Sequence, residues 1–257
     1  MTLELEKDME MLKEMKRKSP YPTYRHLDSK LTTTLYNPEK IEWDKVEAVV
    51  STLDDIQILK ILEPFWDRKA EINVITMITD DLPYGDKNQE NPMNVNFFGT
   101  FEGVKKGDHL TIEHPLIYSS KFDKEEGKPE QMICKFLVME SDKKKRYTGD
   151  IMEKVRKSEE YKRAIETLIK YPRPEIGLIT IATDLVFAAI AKTLEADKDD
   201  QMLLNYAGFY KYLHKLGFGE HCVKNDNAIL KYSMHLPPYS APTIGKNEIH
   251  IIGEKIT

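Results

Sequence analysis

Residues 176–194, IGLITIATDLVFAAIAKTL, decide how the chain is read. The run is apolar on nearly every side of a helix and is preceded by a charged, amphipathic stretch from Tyr147 to Lys170. In that stretch Ile151, Val155, Tyr161, Ile165 and Leu168 fall on one helical face. The segment YPRPE between the two runs cannot continue a helix, because Pro172 and Pro174 lack the amide proton and fix φ. A helical pair over about 147–197 is therefore expected. Strand-like segments lie on both sides of it.

The clearest strand is Glu71–Thr79, EINVITMIT, apolar on both faces as a central strand would be. Met132–Glu140, MICKFLVME, has the same character. Shorter strands are expected at Met93–Phe101, His109–Glu113, Leu116–Ser119, Met202–Leu213, Ala228–His235 and Glu248–Ile256. Ile56–Leu62 fits strand and helix equally well, and Pro64 ends it either way. Residues 2–18 read as a charged helix with a thin stripe of Leu5, Met9, Leu12 and Met15, either solvated or packed as an arm on a neighbour. Residues 20–37 read as extended, and Asn37-Pro38-Glu39 as a helix start.

The fold class that follows is α+β: an antiparallel β-sandwich or barrel-like sheet with an inserted helical pair and a partly helical N-terminal segment. The expected organisation is an appendage over 1–50 and a sandwich domain over 51–257 with the insertion at 147–197.

Composition bounds the function. A chain of 257 residues with 40% hydrophobic and 32% charged residues can bury a core without disulfides. Its net charge of -5 argues against a dedicated nucleic-acid binder. Cys134 and Cys222 are the two cysteines, too far apart in sequence for a disulfide framework or a Cys-x-x-Cys site. The opening MTLELEKDMEMLKEMKRKS lacks the apolar core of a signal peptide, and a cytoplasmic location is the resulting expectation.

Asp80 and Asp81 follow one strong strand and Asp86 lies in the same loop. Glu140 and Asp142 follow the other. If these strands ran in the same direction, the five carboxylates would gather at one end of the sheet, where flexible acidic loops suit calcium. Asp54-Asp55 would join them if a strand starts there. The competing account is that aspartates begin turns by bonding their own backbone. A different site is offered by GFGEHCVKNDN, which reads as a loop, with His214, His221, Cys222 and Asp226 as ligands or, for Cys222, as a nucleophile. Walker A, Gly-x-Ser-x-Gly, Gly-x-Gly-x-x-Gly and His-Glu-x-x-His patterns do not occur.

Lys143-Lys144-Lys145-Arg146, with Lys154, Arg156 and Lys157 beyond, suits phosphate in anionic lipid or in nucleic acid, but Glu153, Glu159 and Glu160 offset much of it and a solvated helix face is the simpler account. Ile176–Leu194 has the length of a membrane span, but Asp184 sits near its centre, so a buried core helix is the simpler account. The sequence thus favours a non-enzymatic binding module for a protein partner or membrane surface, with calcium at the acidic loops. The alternatives are a metal- or cysteine-dependent hydrolase using the 214–226 loop and a membrane-active effector using helix 175–194.

Overall fold

Two strands with no polar face organise the molecule. β3 (Ala70–Asp80) and β6 (Gln131–Ser141) pair antiparallel along their whole length, from Glu71 opposite Ser141 to Asp80 opposite Met132. The computed structural model describes residues 3–18, 30–36, 45–46, 48–62, 69–81, 93–112, 116–121, 131–141, 148–171, 174–195, 200–210, 218–236 and 243–249. β4 (Asn94–Val104) and β7 (Asp200–Tyr210) flank the central pair in a four-stranded sheet ordered β4-β3-β6-β7. The remaining strands are β1 (Lys30–Tyr36), β2 (Ala48–Ile58), β5 (Leu116–Lys121), β8 (Gly219–Lys224), β9 (Ala228–His235) and β10 (Thr243–Ile249). They form a six-stranded sheet ordered β10-β1-β8-β9-β2-β5. All these pairings are antiparallel, and among the described residues no barrel closes.

Because side chains alternate along a strand, β3 and β6 feed two cores. Ile72, Val74 and Ile78 join Met132, Cys134, Phe136 and Val138 against Leu53, Ile56, Leu230, Tyr232 and Met234 of the larger sheet. Phe136 stacks on Tyr232 with ring centroids 4.5 Å apart, and Tyr232 stacks on His221 at 4.6 Å, so one aromatic column joins the two sheets. The alternate residues Ile75, Met77, Ile133, Leu137 and Met139 pack on the helices. The result is a helical layer, the four-stranded sheet and the six-stranded sheet, stacked in that order.

The helices are α1 (Leu3–Lys18), α2 (Thr148–Lys157), α3 (Glu159–Lys170) and α4 (Ile176–Glu195). α4 is the hub of this layer. Leu178, Ile179, Ala182, Leu185, Val186 and Ile190 are all at most 1% exposed. α1 packs Leu5 and Leu12 into the same core, so its apolar stripe is used within the chain. A Cβ on Gly177 would lie 3.2 Å from the Met9 methyl, which marks how closely the two helices approach. Asp8 of α1 accepts hydrogen bonds from Lys170 and from the Tyr171 hydroxyl, both at 2.8 Å.

Lys135 is on the helix-facing register of β6 and is buried. It pairs with Asp184, the one ionisable residue between Ile176 and Ala191, and its Nζ lies 5.3 Å from the Phe187 ring centroid. Such a pair adds little net stability over an apolar pair, but losing one member leaves a buried charge and costs about 3–5 kcal/mol.

Several expectations require correction. The single helix over Tyr147–Lys170 is two helices divided at Ser158. The Ser158 hydroxyl donates to Val155 O at 2.6 Å and accepts from Tyr161 N at 3.2 Å, capping α3, while Glu159 and Glu160 suit the positive end of its dipole. The apolar stripe continues across the break and hides it. Residues 30–36, expected in an N-terminal appendage, are β1 in the interior of the larger sheet, and β2 runs through the boundary drawn at residue 50. Ile56–Leu62 resolves as the end of β2, at Ile58. His109–Glu113 supplies a single bridge, His109 to Gln57, rather than a strand among the described residues. Residues 219–227 of GFGEHCVKNDN are β8 and a tight turn, in which Asn225 Oδ1 accepts from Asn227 N and Ala228 N at 2.9 Å each. The expected helix start at Asn37 lies outside the described residues.

Truncating Phe136 to Ala should cost about 3–5 kcal/mol in urea denaturation, because it empties the centre of the sheet-on-sheet core. Ile169→Ala, on the exposed side of α3, should stay within about 0.5 kcal/mol.

Candidate functional site

The acidic residues picked out by sequence do not converge. β3 and β6 run in opposite directions, so Asp80 and Asp81 lie at one end of the sheet and Glu140 at the other. At about 3.4 Å per residue the ends are about 27 Å apart. One ion cannot be shared across that span. Asp81 instead closes the start of β6: its N donates to Gln131 O at 3.2 Å and its Oδ1 accepts from Gln131 N at 3.1 Å. Glu140 is 1% exposed and its Oε2 accepts from Leu62 N at 2.7 Å, tying down the segment after β2. Asp86 and Asp142 lie outside the described residues. Among the described residues no group of three or more His, Cys, Asp or Glu side chains is arranged to hold a metal.

The 214–226 grouping also comes apart. His221 and Cys222 are neighbours on β8 and so face opposite ways. His221 is buried against Tyr232, whereas Cys222 is half-buried on the outer side. Asp226 is exposed in the turn, and His214 lies outside the described residues.

The outer face of the six-stranded sheet carries a cluster that the sequence only hinted at. In β2 the pairing with β9 slips between Leu53 and Asp55, a bulge that turns both Asp54 and Asp55 outward. Asp54 accepts from Thr52 Oγ1 at 2.8 Å and from the Ser233 hydroxyl. Asp55 Oδ1 meets His109 Nδ1 at 2.8 Å, and Oδ2 accepts from Lys231 Nζ at 3.1 Å. His109 is held there by strand-like pairing of its segment to β2: Gly107 N to Ile58 O at 2.7 Å, Ile58 N to Asp108 O at 3.0 Å and Leu110 N to Ile56 O at 2.8 Å. Gly107 makes the preceding turn with φ 95°. Lys231 also stands directly opposite Cys222. Cys222, Lys231, Asp55 and His109 thus form a row across the sheet.

Partial burial raises the Asp55 carboxyl, but the hydrogen bonds from His109 and Lys231 outweigh it and hold the group below the usual carboxylate range. As a carboxylate it only accepts, so His109 Nδ1 carries the proton in this contact. The row is not a thiol–imidazole dyad, since Cys222 and His109 are about three strand spacings, or about 14 Å, apart. What it offers is a set of donors and acceptors already fixed in place. The clue in the sequence was LDDIQI, where two successive aspartates break the alternation by one residue.

No protein-family model matches the chain, and no curated protein is similar to it in sequence.

Two outcomes follow. Asp55 has a depressed folded-state value, so its stabilisation is full above the ordinary carboxylate range and is lost as pH falls from about 4 through the folded value. Asp55→Asn should therefore cost about 1 kcal/mol at neutral pH and nothing in strong acid, read from denaturation across pH. In the folded protein a thiol reagent should label Cys222 and spare Cys134, which is 0% exposed and whose thiol burial pushes far up. Labelling of both at equal rates would contradict this placement.

Proposed function

We propose that the protein is a non-enzymatic binding module that meets a protein partner on the outer face of its six-stranded sheet. The supporting observation is the cluster of Asp54, Asp55, His109, Lys231 and Ser233. Its side chains are ordered by one another before any partner arrives, so less conformational entropy is lost on binding. The opposite face of the same strands is committed to the core, which makes the platform rigid. Mixed positive and negative groups at fixed positions favour a partner of complementary polarity over a wrong one. A cytoplasmic site of action belongs to the same proposal.

Calcium forms no part of this reading, because the convergence of Asp80, Asp81 and Glu140 on which it rested does not occur. The hydrolase reading loses its basis in the same way, with His221 and Cys222 on opposite faces of β8.

Charge reversal tests the proposal. Asp55→Lys and Lys231→Glu should each reduce capture of a binding partner from extracts of the source cell by about tenfold or more, as desolvated charged contacts do. Glu166→Lys, on the exposed side of α3, should leave capture unchanged. Equal capture by all folded variants would contradict the assignment of this face.

A further inference from the structure

α4 has features that the sheet's outer face does not explain. Its 20 residues span about 30 Å, the hydrocarbon thickness of a bilayer. Ile176–Leu194 is the one segment among the described residues long and apolar enough to cross a membrane. Asp184 interrupts the run, and its partner Lys135 comes from the sheet and not from the helix itself. A charged Asp184 therefore does two things. It ties α4 to β6, and it raises the cost of placing the helix in hydrocarbon by about 2.5–3.5 kcal/mol. A single proton on Asp184 removes both effects.

We propose that Asp184 is a proton-linked gate, and that its neutral form releases α4 from the sheet into a bilayer containing anionic lipid. Asp184 is ion-paired with Lys135 in the folded state, whereas hydrocarbon favours the neutral acid. Insertion thus takes up a proton, and the inserted population rises about tenfold for each unit fall of pH within the window where the two states differ in protonation. An anionic surface at about −30 mV lowers the local pH by about half a unit and so assists. The lipid is also matched by charge. Lys154 and Arg156 occupy the last turn of α2, and Lys143-Lys144-Lys145-Arg146 precede that helix in sequence.

α2 also carries Asp150, Lys154 and Arg156, and several other charges on the elements around α4 are paired with each other. Glu160 of α3 pairs with Lys192 at 3.3 Å. Glu4 and Asp8 of α1 pair with Lys170 of α3 at 2.7 and 2.8 Å. Glu153 pairs with Lys157 within α2. β3 carries no ionisable group between Glu71 and Asp80, and in β6 Glu140 falls on the register facing the other sheet. Lys135 meets Asp184 from the sheet.

The test is dye release from phosphatidylcholine vesicles, with and without phosphatidylglycerol, by the full chain over a series of pH values. The native protein should release dye only in acid, with a slope of about tenfold per pH unit, and more from the anionic vesicles. Asp184→Asn should release at neutral pH as the native protein does in acid, with a flat pH profile. If Asp184→Asn, folded by circular dichroism, releases no more than the native protein at neutral pH, or keeps its pH slope, the proposal is overturned. If that variant does not fold, Lys135→Met decides: loss of the ammonium should move the acid onset to higher pH, and an unchanged onset overturns the gate. Release by the native protein that ignores pH or lipid charge also overturns it. None of these results bears on the outer face of the six-stranded sheet, whose charge reversals are read independently.

Discussion

β3 and β6 have no face turned to water, and this constraint sets the order of the layers around them. A sheet buried on both sides needs two covers. The six-stranded sheet provides one and the helices provide the other. Each cover then has its own boundary condition: the outer sheet has a free polar face, and the helical layer has to accommodate whatever polar group β6 turns towards it. That group is Lys135. Asp184, which would be out of place in a purely apolar core helix, is the counter-charge that makes Lys135 tolerable. The two sheets are joined by less demanding chemistry, chiefly the Phe136–Tyr232–His221 stack and the aliphatic residues around it.

Much of the architecture could be read from local pattern. EINVITMIT and MICKFLVME are apolar at successive positions, which only a strand covered on both faces can use. The apolar period of residues 176–194 and the two prolines before it set α4 apart from the helices that precede it. What could not be read depended on pairing or on single hydrogen bonds. β8 was hidden because Gly219 and the turn residues Asn225-Asp226-Asn227 surround a short strand. The break at Ser158 was hidden because a cap can replace a helical residue without disturbing the stripe on either side.

The candidate sites were less legible than the fold, for a specific physical reason. Alternation of side chains reveals which face a residue occupies but not which way a strand runs. Asp80, Asp81 and Glu140 meet only if β3 and β6 point the same way, and their antiparallel pairing separates them. The His221-Cys222 pair failed for the converse reason: once the segment is a strand, adjacent residues must diverge. Asp54-Asp55 was the signal with the most content, because a break of one residue in the alternation marks a bulge, and the bulge is what presents both carboxylates to His109, Lys231 and Ser233. The two polar features differ in kind. The outer cluster is ordered and accessible, as a recognition surface needs to be. The Lys135–Asp184 pair lies between β6 and α4, with Lys135 buried and Asp184 half-buried.

The central claim is that the four-stranded sheet is the innermost layer and that its two middle strands are the last to open. Native-state hydrogen exchange tests this most directly. The account predicts that amides in the middle of β3 and β6 exchange only through global unfolding, with the highest opening free energies in the chain, while those of β2, β9 and the helices open at lower cost. Exchange of β3 and β6 amides at the same or a lower opening free energy than those of β2 and β9 would contradict it.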